Sequence, residues 1–89
     1  MVTLFVRHQA ADYDSWRKTY DSFEGTRKRL GVKGAAVYRQ TEDPNNITVT
    51  HDFADLAAAQ SFAGSTELRE AMSKAGVVGA PTMWFTNRA

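Results

Sequence analysis

Between Ile47 and Gly79 the chain reads ITVTHDFADLAAAQSFAGSTELREAMSKAGVVG, and few folds accommodate such a segment. Ile47 to Phe53 alternates apolar and polar residues, the period-two pattern of a half-buried strand. Asp55 breaks the alternation and can cap a helix over Leu56–Ala63, whose alanines permit close packing. Gly64-Ser65 is a hinge, after which Ser65 or Thr66 caps a second short helix with Leu68, Met72 and Ala75 on one face. That helix stops at Gly76, and Pro81 bars its resumption. A last strand over about Thr82–Asn87 then alternates Met83 and Phe85 against Thr82, Trp84 and Thr86.

The first half repeats this logic. Val2, Leu4, Val6 and His8 alternate with Thr3, Phe5, Arg7 and Gln9, which predicts a strand. Asp12 or Asp14 caps the next helix, whose stripe is Tyr13, Trp16, Tyr20, Phe23, Arg27 and Leu30. Gly31 ends it in a left-handed conformation. Arg27 is a cation where the period asks for an apolar side chain. Its ordinary reading is a side chain that snorkels to water from the helix end; the sharper reading aims it into a part-buried pocket to bind an anion or oxyanion. A second strand over Val32–Gln40 and a turn at Glu42-Asp43-Pro44-Asn45-Asn46 complete the pattern.

The order β-α-β-β-α-β, with the second helix split, predicts an α+β ferredoxin-like fold spanning 1–89: a four-stranded antiparallel sheet with helices on one face. Val2, Leu4, Val6, Ile47, Val49, Met83 and Phe85 form the face assigned to the helices. The opposite face should be polar, yet it carries Phe5, Tyr38 and Trp84. Burial of these rings is worth roughly 1.5–3 kcal/mol each, so the expectation is a symmetric dimer packed sheet to sheet. Direct binding of a planar ligand is the alternative.

Size makes association useful. A chain of 89 residues buries only about 60–65% of its unfolded surface, and with no cysteine it has no disulfide to compensate. A net charge of +1 leaves no electrostatic footprint for nucleic acid. No apolar run is long enough to cross a membrane, and MVTLFVRH lacks the features of a signal peptide, so the expected setting is cytoplasmic.

With DYDSW opening the first helix, DPNN at the hairpin and HDFADLAAAQSFAGSTELREAMSKAGVVG after it, the whole chain resembles the dimeric α/β-barrel superfamily. It is similar in particular to small proteins of the antibiotic biosynthesis monooxygenase type. The resemblance implies a ferredoxin-like fold and a homodimer. It leaves the reaction open, because the superfamily holds cofactor-independent monooxygenases, haem degraders, isomerases and decarboxylases. The haem-degrading branch has a tryptophan after strand three and a haem-ligating histidine ten residues later, where this chain has Phe62 and Met72. An apolar ring and a thioether cannot take that histidine's part.

His8 and His51 are the only histidines, and both fall on the helix-covered face. Taken as near the C-terminal ends of adjacent, parallel strands, the two rings can share a pocket with Arg27 and Tyr20, walled by Trp16, Phe62 and Met72. A histidine there can remove a proton beside a carbonyl while Arg27 steadies the enolate, the parts a cofactor-independent oxygenase also needs. Structural or solvated histidines are the competing explanation. Two histidines without a third ligand at suitable spacing make a weak metal case, so no metal is expected, and no serine has a nucleophile-elbow context. The expectation is therefore a homodimeric monooxygenase or cyclase/isomerase without cofactor, acting on a small aromatic or carbonyl-bearing metabolite. The alternative is a non-catalytic dimeric binding or stress-response protein.

Overall fold

Period-two alternation becomes sheet, and heptad spacing becomes the helices laid on it. The computed structural model describes residues 1–89. Strands β1 (Val2–Ala10), β2 (Gly34–Arg39), β3 (Asn46–Phe53) and β4 (Val77–Asn87) form one sheet in the order β2-β3-β1-β4. Helices α1 (Tyr13–Ser22) and α2 (Glu24–Arg29) connect β1 to β2, and α3 (Leu56–Ala63) and α4 (Thr66–Lys74) connect β3 to β4. This is the expected α+β ferredoxin-like arrangement. All three strand pairings are antiparallel, so β1 and β3 run against each other and not parallel. The reason is the hairpin: β2 and β3 are joined by a tight turn and must reverse, which turns β3 against β1.

Three side-chain caps start the helices, and in each case the first of the candidate residues serves where two were available. Asp12 accepts from Ser15 N–H, Asp55 from Ala58 N–H and Ser65 from Leu68 N–H. Each satisfies a donor that a helix N-terminus leaves unpaired. The first long helix is interrupted at Phe23, whose N–H is shared between the Thr19 and Tyr20 carbonyls at 3.1 Å each. Ser22 Oγ also donates to Thr19 O at 2.8 Å, a competing local bond that tightens this turn. Gly31 leaves α2 at φ 97°, the left-handed conformation that glycine adopts without steric cost.

DPNN does more than turn the hairpin. Asn45 N–H donates to Asp43 Oδ1, Asn45 Oδ1 accepts from Tyr13 N–H, and Asn45 O accepts from Ala10 N–H. The β2–β3 loop is thereby tied to the junction of β1 and α1, which fixes where α1 lies on the sheet.

The last strand begins at Val77, five residues before the expected Thr82. Pro81 does not exclude pairing because β4 is an edge strand and the proline sits at a bulge. Arg7 pairs with Thr82 but Gln9 with Val78, so Gly79, Ala80 and Pro81 stand opposite His8 alone. Gly79 takes φ 75° at this irregularity.

Leu4, Val6, Ile47, Phe53 and Phe62 are the largest fully buried side chains, each contributing about 1.5–3 kcal/mol by area. They come from β1, β3 and α3, the middle of the sheet and the helix over it. Phe85 pairs with Leu4, as its assigned face requires, but stays 40% exposed. It lies on the outer strand, where helix cover gives out.

Candidate functional site

Between the sheet and α1, α2 and α4 lies a cavity of about 40 Å³. Its floor is Val6 and His8 of β1 with Val49 and His51 of β3. Trp16, Thr19 and Tyr20 of α1 and Phe23 wall one side, Leu68, Ala71 and Met72 of α4 with Ala75 wall the other, and Arg27 of α2 closes an end. The alternation of β1 and β3 puts both histidines on the covered face. The antiparallel register, with His8 opposite Ile47 and His51 opposite Leu4, sets them four residues apart along the strands, roughly 13 Å at the usual rise. They face one cavity from its two ends and do not form a side-by-side pair.

His8, Arg27 and His51 are the polar or charged residues among the buried set, at 7%, 7% and 4% exposure. Both nitrogens of His8 and Nδ1 of His51 have no hydrogen-bond partner, in a class of atom that is paired nine times in ten. The His8 ring is tilted against Trp16 at 5.7 Å, and the His51 ring against Phe62 at 4.9 Å. These are apolar neighbours that cannot answer an imidazole's polarity.

Arg27 does not snorkel. Its guanidinium lies over the Tyr20 ring, 3.9 Å from the centroid, and Nη1 donates to the Tyr20 carbonyl. Helical side chains lean toward the N-terminus, which carries this one back along α1 and inward instead of out past the helix end. No carboxylate pairs with it: the ion pairs of the fold are Arg17–Asp21, Lys28–Glu24 and Arg29–Glu67. Tyr20 in turn stacks on Trp16 at 5.0 Å, and Trp16 on Tyr13 at 5.9 Å. The arginine thus ends a row of rings running the length of α1.

Burial and the nearby Arg27 cation push the His51 pKa down to about 4. Asp52 opposes this, and His8 adds to it. Burial also lowers His8. At neutral pH His51 is therefore an uncharged imidazole, able to accept a proton or a hydrogen bond.

Among the residues expected to bind substrate, Trp16, Tyr20 and Met72 line the cavity. Phe62 does not: at 1% exposure it belongs to the core cluster with Phe53 and stands behind His51. Helix α3 packs flat on β1 and β3, leaving α4, not α3, to face the void. Thr19, Phe23 and Ala71 are not among the expected site residues, nor are Val6, Val49, Leu68 and Ala75. Helical spacing holds the signal for the first, since Thr19 lies three residues after Trp16 and four before Phe23. Phe5, Tyr38 and Trp84 share the uncovered face, with Phe5 and Trp84 stacked at 5.2 Å and 9°. No three histidine, cysteine, aspartate or glutamate side chains converge in a way that could hold a metal ion. No helix is long and apolar enough to cross a membrane.

No protein-family model matches the sequence, and no curated protein matches it. Solved structures do match. A Bordetella bronchiseptica protein assigned to the antibiotic biosynthesis monooxygenases superposes with a TM-score of 0.83 at 14% identity, over 99% of this chain and 96% of that one. The fold is that of the antibiotic biosynthesis monooxygenases. SnoaB, a cofactor-independent oxygenase from Streptomyces nogalater, matches with a TM-score of 0.80 at 10% identity, covering 99% of this chain and 92% of its own. A conserved protein from Methanosarcina mazei Go1 gives 0.77 at 15% identity, over 99% and 92%. At these identities the likeness concerns the backbone.

Proposed function

We propose that this antibiotic biosynthesis monooxygenase fold carries acid–base chemistry on a small carbonyl compound. The observation that supports it is the burial of two imidazoles with unpartnered ring nitrogens, and of one guanidinium without a counter-ion, around a single void. A neutral His51 takes the proton from the carbon beside the carbonyl. The electron pair left behind moves onto the carbonyl oxygen, where Arg27 stabilises the charge. His8, at the other end, holds the substrate by a hydrogen bond. Such an enolate can return a proton elsewhere, which is isomerisation, or meet dioxygen. Conversion of CH2 to C=O by one O2, with the second oxygen leaving as water, balances without a further reductant. The cofactor-independent oxygenase of the same fold supports keeping that route open.

The test is solvent deuterium uptake. A panel of enolisable ketones is incubated with the protein in D2O and followed by proton NMR, alongside His51→Gln and His8→Gln. The reading expects exchange beside the carbonyl that falls at least about a hundredfold in His51→Gln. Absence of exchange across the panel, or equal rates in both variants, would leave a non-catalytic binding protein as the better account.

The uncovered aromatics support a homodimer through the sheet. Tyr38 is 58% and Trp84 40% exposed, and Phe5 stacks on the Trp84 ring. Trp84→Glu places a charge where desolvation would be required, and it is expected to convert a dimer to monomer in native mass spectrometry. A dimer that survives Trp84→Glu combined with Tyr38→Glu would refute this face as the interface.

A further inference from the structure

We infer that the ligand is a small oxo acid whose carboxylate is received by Arg27. The carbonyl half of this statement rests on the acid–base reading above; the carboxylate half stands on Arg27 itself.

Arg27 is a buried cation without a counter-ion. Buried charges in folded proteins are paired, because leaving water costs several kcal/mol that only an opposite charge and good hydrogen bonds recover. Here Nη1 alone is engaged, by a backbone carbonyl, and the aromatic face of Tyr20 supplies the remaining stabilisation. The guanidinium keeps free donors on a planar fork that matches a carboxylate.

Its position strengthens the case. Arg27 and Tyr20 line both the inner cavity and an outer groove of about 400 Å³ between α1, α2 and the start of β2. Four cations border that groove, Arg17, Arg27, Lys28 and Lys33, against two anions, Asp21 and Glu24. Arg17 and Lys28 are occupied by those anions. Arg27 and Lys33 are left, so the mouth of the site carries an excess of two positive charges and attracts anions.

The two volumes then fix the size and orientation of the ligand. About 40 Å³ is room for a few non-hydrogen atoms and no more, lined mostly by apolar groups unable to solvate a carboxylate. The charged end therefore stays at Arg27 and the short carbon tail goes in. In a 2-oxo acid the carbonyl oxygen lies beside the carboxylate, so one guanidinium serves both. The C3–H bond is then presented to His51. When it breaks, its electron pair becomes the C2=C3 bond, the carbonyl pair moves onto oxygen, and the proton goes to imidazole nitrogen. The groups facing His51 agree: Arg27 from α2 and His8 from β1 depress its basicity, Asp52 beside it opposes them, and no carboxylate of α1 or α4 lines the cavity. A ligand carboxylate on Arg27 offsets that cation and makes His51 a stronger base only when substrate is present.

Three matched probes test this on the unaltered protein by NMR titration of the histidine ring and arginine Nε–H signals: 2-oxobutanoate, butan-2-one and butanoate. Saturable binding of 2-oxobutanoate, at least about tenfold tighter than butan-2-one, with the His51 titration moving upward in the complex, is expected. Arg27→Met should abolish the preference. Equal binding of ketone and oxo acid, or no binding of either acid, would overturn the inference. Binding of 2-oxobutanoate without deuterium uptake at C3 would keep the anion site and remove the acid–base reading. Equal uptake by the neutral ketone would do the reverse.

Discussion

Phe62→Ala is expected to lower the unfolding free energy by about 3–5 kcal/mol, the cost of removing a large buried ring and leaving a void behind it. The ring is 1% exposed and packs against Phe53 at 5.4 Å on one side and His51 at 4.9 Å on the other. A domain of this size has on the order of 4–13 kcal/mol in total, so the variant stands near the edge of folding. Helix α3 cannot collapse into the void, because Asp55 anchors its start and the Phe62 carbonyl is already engaged by the next helix cap through Ser65. Phe62→Leu should recover most of the loss. Urea denaturation of the three proteins measures it, and a loss below about 1 kcal/mol for the alanine variant would show that Phe62 is not a core support. The same substitution should loosen His51, whose ring rests on it, so a catalytic defect in Phe62→Ala would not by itself mark a substrate contact.

Acidification should unfold the protein through His51. The unfolded imidazole titrates near its ordinary 6.5, whereas in the fold it resists protonation down to about 4. Between those values the unfolded chain binds the extra proton, so stability is fully present above about 6.5 and falls as pH drops toward 4. Over that interval the loss amounts to roughly 3 kcal/mol, and the buried His8 adds to it with the same sign. His51→Phe keeps an aromatic ring against Phe62 and cannot take a proton. It should be as stable as its parent at pH 4.5 or more so, and show a pH–stability slope smaller by one proton. Identical slopes in parent and variant between pH 6.5 and 4.5 would mean that His51 is solvated in solution.

Much of this architecture is legible in the chain. Alternation in Val2–Gln9 and Ile47–Phe53, capping at Asp55 and the turn at Pro44-Asn45 are local signals, and locally determined elements came out where expected. Long-range features are less so. The relative direction of β1 and β3 depends on counting reversals through two connections, and it decides whether His8 and His51 are neighbours or opposite ends of a void. Arg27 shows the other limit. Periodicity correctly put it on the inward face, but general experience of long cations at helix ends argued for water; the lean of helical side chains decides the matter. Phe62 enters as a wall residue through the resemblance, at the position where the haem-degrading branch has a tryptophan, and only the docking of α3 flat on the sheet reveals that it is core. The early start of β4 was hidden by Pro81, which is excluded from strand interiors but tolerated at an edge.

That edge has a mechanical meaning. Where Gly79, Ala80 and Pro81 oppose His8 alone, the hydrogen-bond ladder between β1 and β4 is interrupted, and the short stretch Val77–Val78 is held to β1 separately from Thr82–Asn87. The bulge therefore divides the strand into a firmly laced seam and a loosely stitched hem. Helix α4, which supplies one side of the cavity, hangs from the hem. Moving it away from Tyr20 would break those two pairings and the Ala11 N–H to Gly76 O bond and would lift Leu68 and Ala75 from their packing, while the rest of the sheet stays laced. Any widening of the void is in this way confined to the hem and to the packing of one helix, whose Leu68 and neighbouring Ala75 belong to the core.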